Sequence, residues 1–323
     1  MLTLERVSKV YKVGTFGGKE LHAVSDVSFD VKDREVVSLI GESGSGKTTL
    51  GRMILGLVSI SSGAITFNGE DVSTLRGSGL KDYYRKVQGV FQDPFSSYNP
   101  IFKADRIFRI IRDEFFPDMA AQEWNAKVES TLRAVGLNPP DVLNKFPHQL
   151  SGGQLQRFLI ARALLLDIEF LVADEIISML DASTRIDVLN LLADLKAHGL
   201  SILFITHDLS LGYYISERAV ILYRGHIVEM GATEKLYGNP LHPYTEMLMA
   251  SVPRLDRKWE DVQVKLGAMK AELGGGCVYY ERCPVAHKGD CERHKPTLIE
   301  VESDHFVACG RYPKEPPPVY KAT

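Results

Sequence analysis

The sequence predicts an α/β fold built on a parallel sheet, and three observations carry that prediction. Residues 35–40 form a short β-rich run, Glu35-Val36-Val37-Ser38-Leu39-Ile40, followed by a glycine-rich turn and a helical stretch over residues 47–57. Residues 168–173 and 200–206 are two further apolar runs of strand length, each beside a helical segment. Strands that alternate with helices pair in parallel, with both faces of the sheet covered. The third observation is capacity: at 323 residues, 45% hydrophobic and 24% charged, the chain can close such a core without staples.

The remaining elements follow in chain order. Residues 2–7, 22–31, 63–68 and 219–229 alternate apolar and polar side chains, the last around a turn at Arg224-Gly225, and read as antiparallel. Residues 104–135 carry helical periodicity and interrupt the α/β core as an insert. Composition shifts near Gly231, after which proline and histidine become frequent, and residues 313–318 read as an extended tail. At about 150 residues per domain the length suggests about two domains. The expected division is residues 1–232, with a helical part at 102–160, followed by a C-terminal extension of residues 233–323. With 38 basic and 41 acidic residues, net −3, no whole-protein field points to nucleic acid, and none is expected as a partner. The densest apolar stretch, residues 157–180, is broken by Arg162, Asp167, Glu169, Asp174 and Glu175, far from the ~20 apolar residues of a membrane span. Met1-Leu2-Thr3-Leu4-Glu5-Arg6 lacks the charged-then-apolar layout of a signal peptide, so a cytoplasmic location is expected.

Gly41-Glu42-Ser43-Gly44-Ser45-Gly46-Lys47-Thr48 fits G-x-x-x-x-G-K-[ST] between a strand and a helix, the context that a phosphate-binding loop requires. Its glycines let successive backbone N–H groups turn inward around phosphate oxygens, and the helix N-terminus adds partial positive charge. Lys47 brings a point charge to the β- and γ-phosphates, Thr48 offers a hydroxyl to Mg²⁺, and Thr49 is placed with the loop as a nucleotide contact. ATP and Mg²⁺ are the expected ligands.

Leu150-Ser151-Gly152-Gly153-Gln154 precedes a helix containing Arg157, Leu159, Arg162, Ala163 and Leu166. Ser151 is a good N-cap, and the two glycines free the backbone to approach an anion. This segment resembles the L-S-G-G-Q signature of the nucleotide-binding subunits of ABC transporters. The resemblance implies a P-loop NTPase of the ABC ATPase type. That fold has a parallel-sheet core, an antiparallel β-subdomain and a helical subdomain, here with a small cysteine-containing extension. Other motifs then acquire roles. In Leu171-Val172-Ala173-Asp174-Glu175 the aspartate would help to hold Mg²⁺ and the glutamate would polarise attacking water. Ser178-Met179-Leu180-Asp181 is similar to the D-loop, which lies across a dimer seam. Ile205-Thr206-His207-Asp208 resembles the switch-histidine segment, and Phe91-Gln92-Asp93-Pro94 the Q-loop, in which Gln92 senses Mg²⁺ and the membrane partner. Tyr11 resembles the aromatic that stacks on adenine. The family usually has proline after the Asp-Glu pair, where this chain has Ile176; proline fixes φ there and isoleucine does not. The family mechanism implies ATP held by the phosphate loop of one subunit and covered by Ser151, Gly152, Gly153 and Gln154 of another. Glu175, His207 and Lys47 are the expected catalytic groups.

Phe91-Gln92-Asp93-Pro94-Phe95-Ser96-Ser97-Tyr98-Asn99-Pro100 resembles the extended Q-loop of dipeptide and oligopeptide importers. Asn239-Pro240-Leu241-His242-Pro243-Tyr244-Thr245 resembles the element opening their C-terminal extension. The resemblance spans nearly the whole chain and leans toward the F member of the D/F ATPase pair. It implies an ATPase at the cytoplasmic face of the membrane that powers peptide uptake. Its implied partners are a second homologous ATPase subunit in a hetero-pair, two transmembrane permease subunits and an extracytoplasmic solute-binding protein, with residues 102–135 receiving a coupling helix. The group also includes oligosaccharide importers of the cellobiose type. A soluble ATPase of the same superfamily that never meets a membrane is the rival from another class, although such proteins carry two cassettes or a long coiled-coil insertion.

The chain has four cysteines, Cys277, Cys283, Cys291 and Cys309, all in its last fifth and spaced C-x5-C-x7-C-x17-C. In some members of the group the extension's cysteines hold a [4Fe–4S] cluster, and thiolate-only ligation is normal for such clusters. Four thiolates also suit Zn²⁺, although structural zinc sites generally use closer pairs. Two disulfides would be disfavoured in a reducing compartment. His287, His294 and His305 lie nearby in sequence and read as solvated loop residues.

Overall fold

The computed structural model describes residues 1–14, 18–251 and 275–312. Two sheets organise it. A four-stranded antiparallel sheet is formed by β1 (Leu2–Val13), β2 (Lys19–Val31), β4 (Ser62–Phe67) and β5 (Glu70–Asp71), in the order β2-β1-β4-β5. The larger sheet has eight strands. Its parallel part runs β9 (Arg218–Tyr223), β3 (Val36–Ile40), β8 (Ser201–Thr206), β7 (Phe170–Asp174), β6 (Val87–Val90). Beyond β9 the order continues through β10 (His226–Ala232), β12 (His305–Val307) and β11 (Ile299–Glu302), all antiparallel to their neighbours.

The expectation for residues 219–229 is corrected in part. β9 is antiparallel only to β10; toward β3 it runs parallel, with Val37 opposite Arg218 and Ile40 opposite Ile221. Ala219–Tyr223 is buried at every position, the mark of a strand covered on both faces. Arg224 and Gly225 both adopt positive φ, 45° and 79°, the geometry of a two-residue hairpin turn that suits strand twist.

Period-two alternation sorts the central strands between two cores. On one face Val37, Leu39, Leu203 and Ile205 pack with Leu2, Leu4 and Val7 of the small sheet and with Leu50 and Met53 of α1 (Lys47–Ile54). On the other, Val36, Ile202 and Phe204 join the helical layer of α3 (Arg106–Phe115), α4 (Ala121–Ala134), α6 (Gly152–Leu164) and α7 (Ala182–Ala197). The short helix α5 (Pro139–Val142) bridges α4 and α6, and α2 (Gly77–Lys86) leads into β6. In this layer Phe108 stacks on Phe158 at 4.5 Å. Each such buried side chain contributes about 1.5–3 kcal/mol.

A third core joins the sheet to the C-terminal part. Ile40, Ile221 and Tyr223 pack with Tyr244 of α10 (Pro243–Ala250) and with Cys277 and Tyr279. α8 (Leu209–Ile215) and α9 (Thr233–Gly238) flank it. His305 is corrected from a solvated loop to the interior. It is a fully buried residue of β12 whose Nε2 lies 2.8 Å from Glu229 Oε1, and that carboxylate also accepts the backbone N–H groups of Leu241 and His242 at 2.8 Å. No helix among the described residues is long and apolar enough to cross a membrane. The expected tail at 313–318 lies outside the described residues.

Candidate functional site

The loop between β3 and α1 turns too tightly for ordinary side chains. A Cβ on Gly41 would stand 2.2 Å from the Leu222 carbonyl oxygen, and one on Gly46, at φ 106°, 2.4 Å from that of Ala23. Gly46 precedes α1 with no side-chain cap, so the helix presents bare N–H groups toward the loop. Lys47 is 4% exposed; its Nζ donates to the carbonyls of Gly41 at 2.7 Å and Glu42 at 3.0 Å. Burial lowers its pKa, opposed by Glu175 and Asp174.

The carboxylates arrive from the C-terminal end of β7. Asp174 accepts the Thr48 hydroxyl at 3.3 Å, and burial raises its pKa while Thr48 and Lys47 pull the other way. Glu175 leaves the strand at φ +50°, its N–H bonded to the Ile205 carbonyl at 2.9 Å. Its Oε1 lies 3.9 Å from Lys47 Nζ and 3.4 Å from His207 Nδ1, which follows the end of β8. The ends of two adjacent parallel strands and the loop lysine therefore meet at one carboxylate oxygen, Glu175 Oε1.

Lys47, Thr48, Glu175 and His207 open on a cleft of about 1700 Å³ that is also lined by Tyr11, Ser43, Gly44, Thr49 and Gln92, with Asp174 buried behind Thr48. Ser45 is turned beneath the loop, its Oγ buried without a hydrogen-bond partner among the described residues. The hydroxyl of Thr48, the carboxylate of Asp174 and the amide of Gln92 are hard oxygen donors, the set that suits Mg²⁺.

Ser151, Gly152, Gly153, Gln154 and Asp181 do not line this cleft. Ser151 caps α6 in a reciprocal box, accepting from Gln154 N–H at 3.2 Å while Gln154 Oε1 accepts from Ser151 N–H at 2.9 Å. A Cβ on Gly153 would meet Thr184 Cγ2 at 2.7 Å, so the first turns of α6 and α7 touch. Asp181 caps α7, and hydrogen bonds from Ser183 and Thr184 hold its carboxyl well below the usual range. Among the described residues beyond its own turn, no heavy atom comes within 4 Å of a Cβ on Gly152, leaving that backbone open to approach.

The four cysteines line one small cavity of about 20 Å³ with Tyr279, His287 and Arg311. All four are free thiols. Burial pushes Cys277 up to about 11 and raises Cys283 and Cys309, with the neighbouring sulfurs adding to the rise. The expected metal centre finds no support from arrangement alone: among the described residues no group of three or more His, Cys, Asp or Glu is set to hold a metal ion. Buried Cys277 packs as a small apolar group in the core with Tyr244 and Tyr279, and half-buried Cys283 and Cys291 lie against the same cluster.

The structure adds contacts that sequence reasoning missed. His22, Arg224, His226, Leu248, Val278 and Lys295 also line the cleft. Tyr244 and Arg282 bond to Glu42 in the loop itself. No local motif announces contacts across such sequence separations.

Comparison with known proteins gives a consistent set of likenesses. Residues 24–178 match the family model "ABC transporter", and residues 228–291 match "Oligopeptide/dipeptide transporter, C-terminal region". The oligopeptide transport ATP-binding protein AppF of Bacillus subtilis is 41% identical, the alignment covering 97% of both chains. A putative peptide import ATP-binding protein of Brucella ovis is 39% identical over 96% of this chain and 98% of its own. The oligopeptide transport ATP-binding protein OppF of Haemophilus influenzae is 38% identical, covering 90% and 88%. Among solved structures, the dimeric bacterial ABC transporter cassette MJ0796 superposes with a TM-score of 0.65 at 28% identity, over 72% of this chain and 99% of that one.

Proposed function

The chain belongs to the ABC transporter ATP-binding subunits, in their oligopeptide/dipeptide branch, and from that premise we propose that it is the ATP-hydrolysing subunit of a peptide importer. The observation that carries the reading is the convergence of Lys47, Glu175 and His207 on one cleft, while Ser151 and Gly152 stand outside it on the same chain. A γ-phosphate needs donors on every side, and one loop covers only part of it. The uncovered part is supplied by the N-terminal turn of α6 from a second subunit. ATP then bridges two cassettes, and hydrolysis removes the bridging charge.

Within one site the roles divide by chemistry. The loop N–H groups and Lys47 bind and orient the triphosphate, and Tyr11 stacks on the base. Glu175 accepts a proton from the attacking water while His207, beside its carboxylate, holds the pair in line. Thr48, Asp174 and Gln92 would hold Mg²⁺, which when bound neutralises charge on the β- and γ-phosphates. Ile176 in place of the usual proline leaves this set intact.

The chain works at the inner membrane face with two permease subunits, a solute-binding protein and a second, similar ATPase. Apolar Phe95, Ile101, Phe102 and Ile110 are exposed close in sequence to Gln92, which supports docking of a permease helix there. The named functions of the relatives favour peptides over oligosaccharides as cargo. Reconstitution of the full transporter tests this. Phosphate release should rise when the binding protein carries peptide, and release indifferent to peptide would refute the assignment.

For the cysteines, convergence of all four on one cavity favours a bound [4Fe–4S] cluster over scattered thiols. Iron with broad visible absorption is expected in anaerobically purified protein. Zinc without iron would reject the cluster and leave a zinc site.

A further inference from the structure

Glu42 is an anomaly in a loop built to receive a triphosphate, because its carboxylate opposes the incoming charge. In this chain it is answered from far downstream. Arg282 grips it as a fork, Nη1 donating to Oε2 at 2.8 Å and Nη2 to Oε1 at 3.0 Å. The Arg282 side chain is only 8% exposed while Glu42 is 35% exposed, so the guanidinium is shielded and the carboxylate keeps one side open to water. Tyr223 and Tyr279 lie 5.9 Å from the guanidinium, and Met247 Sδ accepts from Nη2 at 3.4 Å. The Glu42 backbone is held as well: its N–H donates to the hydroxyl of fully buried Tyr244 at 2.9 Å. Its carbonyl accepts from Lys47 Nζ at 3.0 Å and from Ser45 N–H at 3.1 Å.

Lys47 Nζ has a third N–H to turn toward phosphate beyond its two loop carbonyls. Whether or not it keeps them, Arg282 and Tyr244 tie residue 42 to the C-terminal part of the chain. Leu248, Val278 and Lys295, from the same C-terminal part, face the cleft directly. We infer that Arg282 and Tyr244 are positioning residues of the nucleotide site, through which the C-terminal extension holds the outer turn of the phosphate loop and cancels its one negative charge. Their effect falls on capture of ATP, because among the described residues their side-chain hydrogen bonds reach Glu42 and Met247 and none goes to Glu175 or His207. The inference rests on the reading of residues 41–48 as the ATP site.

The test is titration of the full-length chain with a fluorescent ATP analogue, paired with ATPase kinetics of the assembled transporter. Arg282→Ala should weaken binding about ten- to a hundredfold, the scale of a lost charged hydrogen-bond pair, and raise KM with kcat little changed. Arg282→Lys should recover part of the affinity. Adding Glu42→Gln to Arg282→Ala should recover most of it, since the orphaned charge is gone; a purely structural contact would not be restored this way. Tyr244→Phe, which removes only the hydroxyl, should give a smaller loss of the same kind. Parent-like ATP binding in folded Arg282→Ala overturns the inference, as does a double variant that binds no better than the single. Should Arg282→Ala not fold, parent-like binding in both Arg282→Lys and Tyr244→Phe overturns it equally. Lys47→Ala separates the two levels: normal binding there defeats the reading of the loop, whereas loss there beside normal binding in Arg282→Ala defeats this inference alone.

Discussion

Glu175 occupies a left-handed backbone conformation that few non-glycine residues adopt, and the surrounding strands enforce it. Its N–H is tied to Ile205, its carboxylate lies between Lys47 and His207, and the next residue, Ile176, is buried in the core. Strain of this kind costs about 1–3 kcal/mol and persists only where neighbours over-determine it. The isoleucine that replaces the family's proline therefore holds the turn by packing instead of by a fixed φ. Glu175→Gln keeps the size and the anchor but removes the base. We expect ATP binding to be retained and single-turnover hydrolysis to slow by roughly 10²–10⁴-fold. Near-normal turnover would remove Glu175 from the role. Lys47→Ala should instead weaken nucleotide capture, measured as a rise in the dissociation constant.

At the level of elements, one buried carboxylate adds to the strand pairing of β12 with β10 and ties the start of α10 to the same strand. Glu229 accepts two backbone N–H groups and faces His305, with neither side chain exposed. Glu229→Ala leaves those partners unsatisfied in the interior and should cost about 3–5 kcal/mol in denaturant unfolding. A loss under about 1 kcal/mol would show that the docking has other support. His242, the N-cap of α10, adds a pH dependence. Burial, with a contribution from Arg311, depresses its pKa from 6.5 to about 3, while Glu229 holds its backbone N–H. The unfolded chain binds the proton more readily, so this contribution to stability is complete above about pH 6.5 and is lost as pH falls toward 3. His242→Asn keeps a capping acceptor without the titration. Unfolding midpoints between pH 7 and pH 4 should fall less steeply in that variant than in the parent, and parallel slopes would exclude His242 as the source.

On the scale of the whole molecule, among the described residues Ser151 does not line the cleft that holds Lys47. Under the proposed function a second subunit therefore completes the site. In the Glu175→Gln background, ATP should drive the subunit and its partner ATPase into a stable two-cassette particle, detectable by light scattering. Ser151→Arg, which places bulk where phosphate must approach, should leave the mass unchanged on adding ATP. Assembly that proceeds equally with and without nucleotide would contradict the bridging role.

The phosphate loop, the capped helix at Ser151 and the central strands were legible in the sequence because each is decided by neighbours within a few residues. Glycine spacing sets a turn, a serine sets a helix start, and an unbroken apolar run marks a strand covered on both faces. The direction of β9, the burial of His305 and the grip of Arg282 on Glu42 were not legible. Each depends on which distant segment lies alongside, and that choice is made by packing of the whole core. Sequence alone thus determined the chemistry available at the phosphate loop. Only tertiary structure decided that residues some 240 positions apart would meet there as a charge pair, because burying that pair depends on Tyr223, Tyr279 and Met247 first being assembled around it.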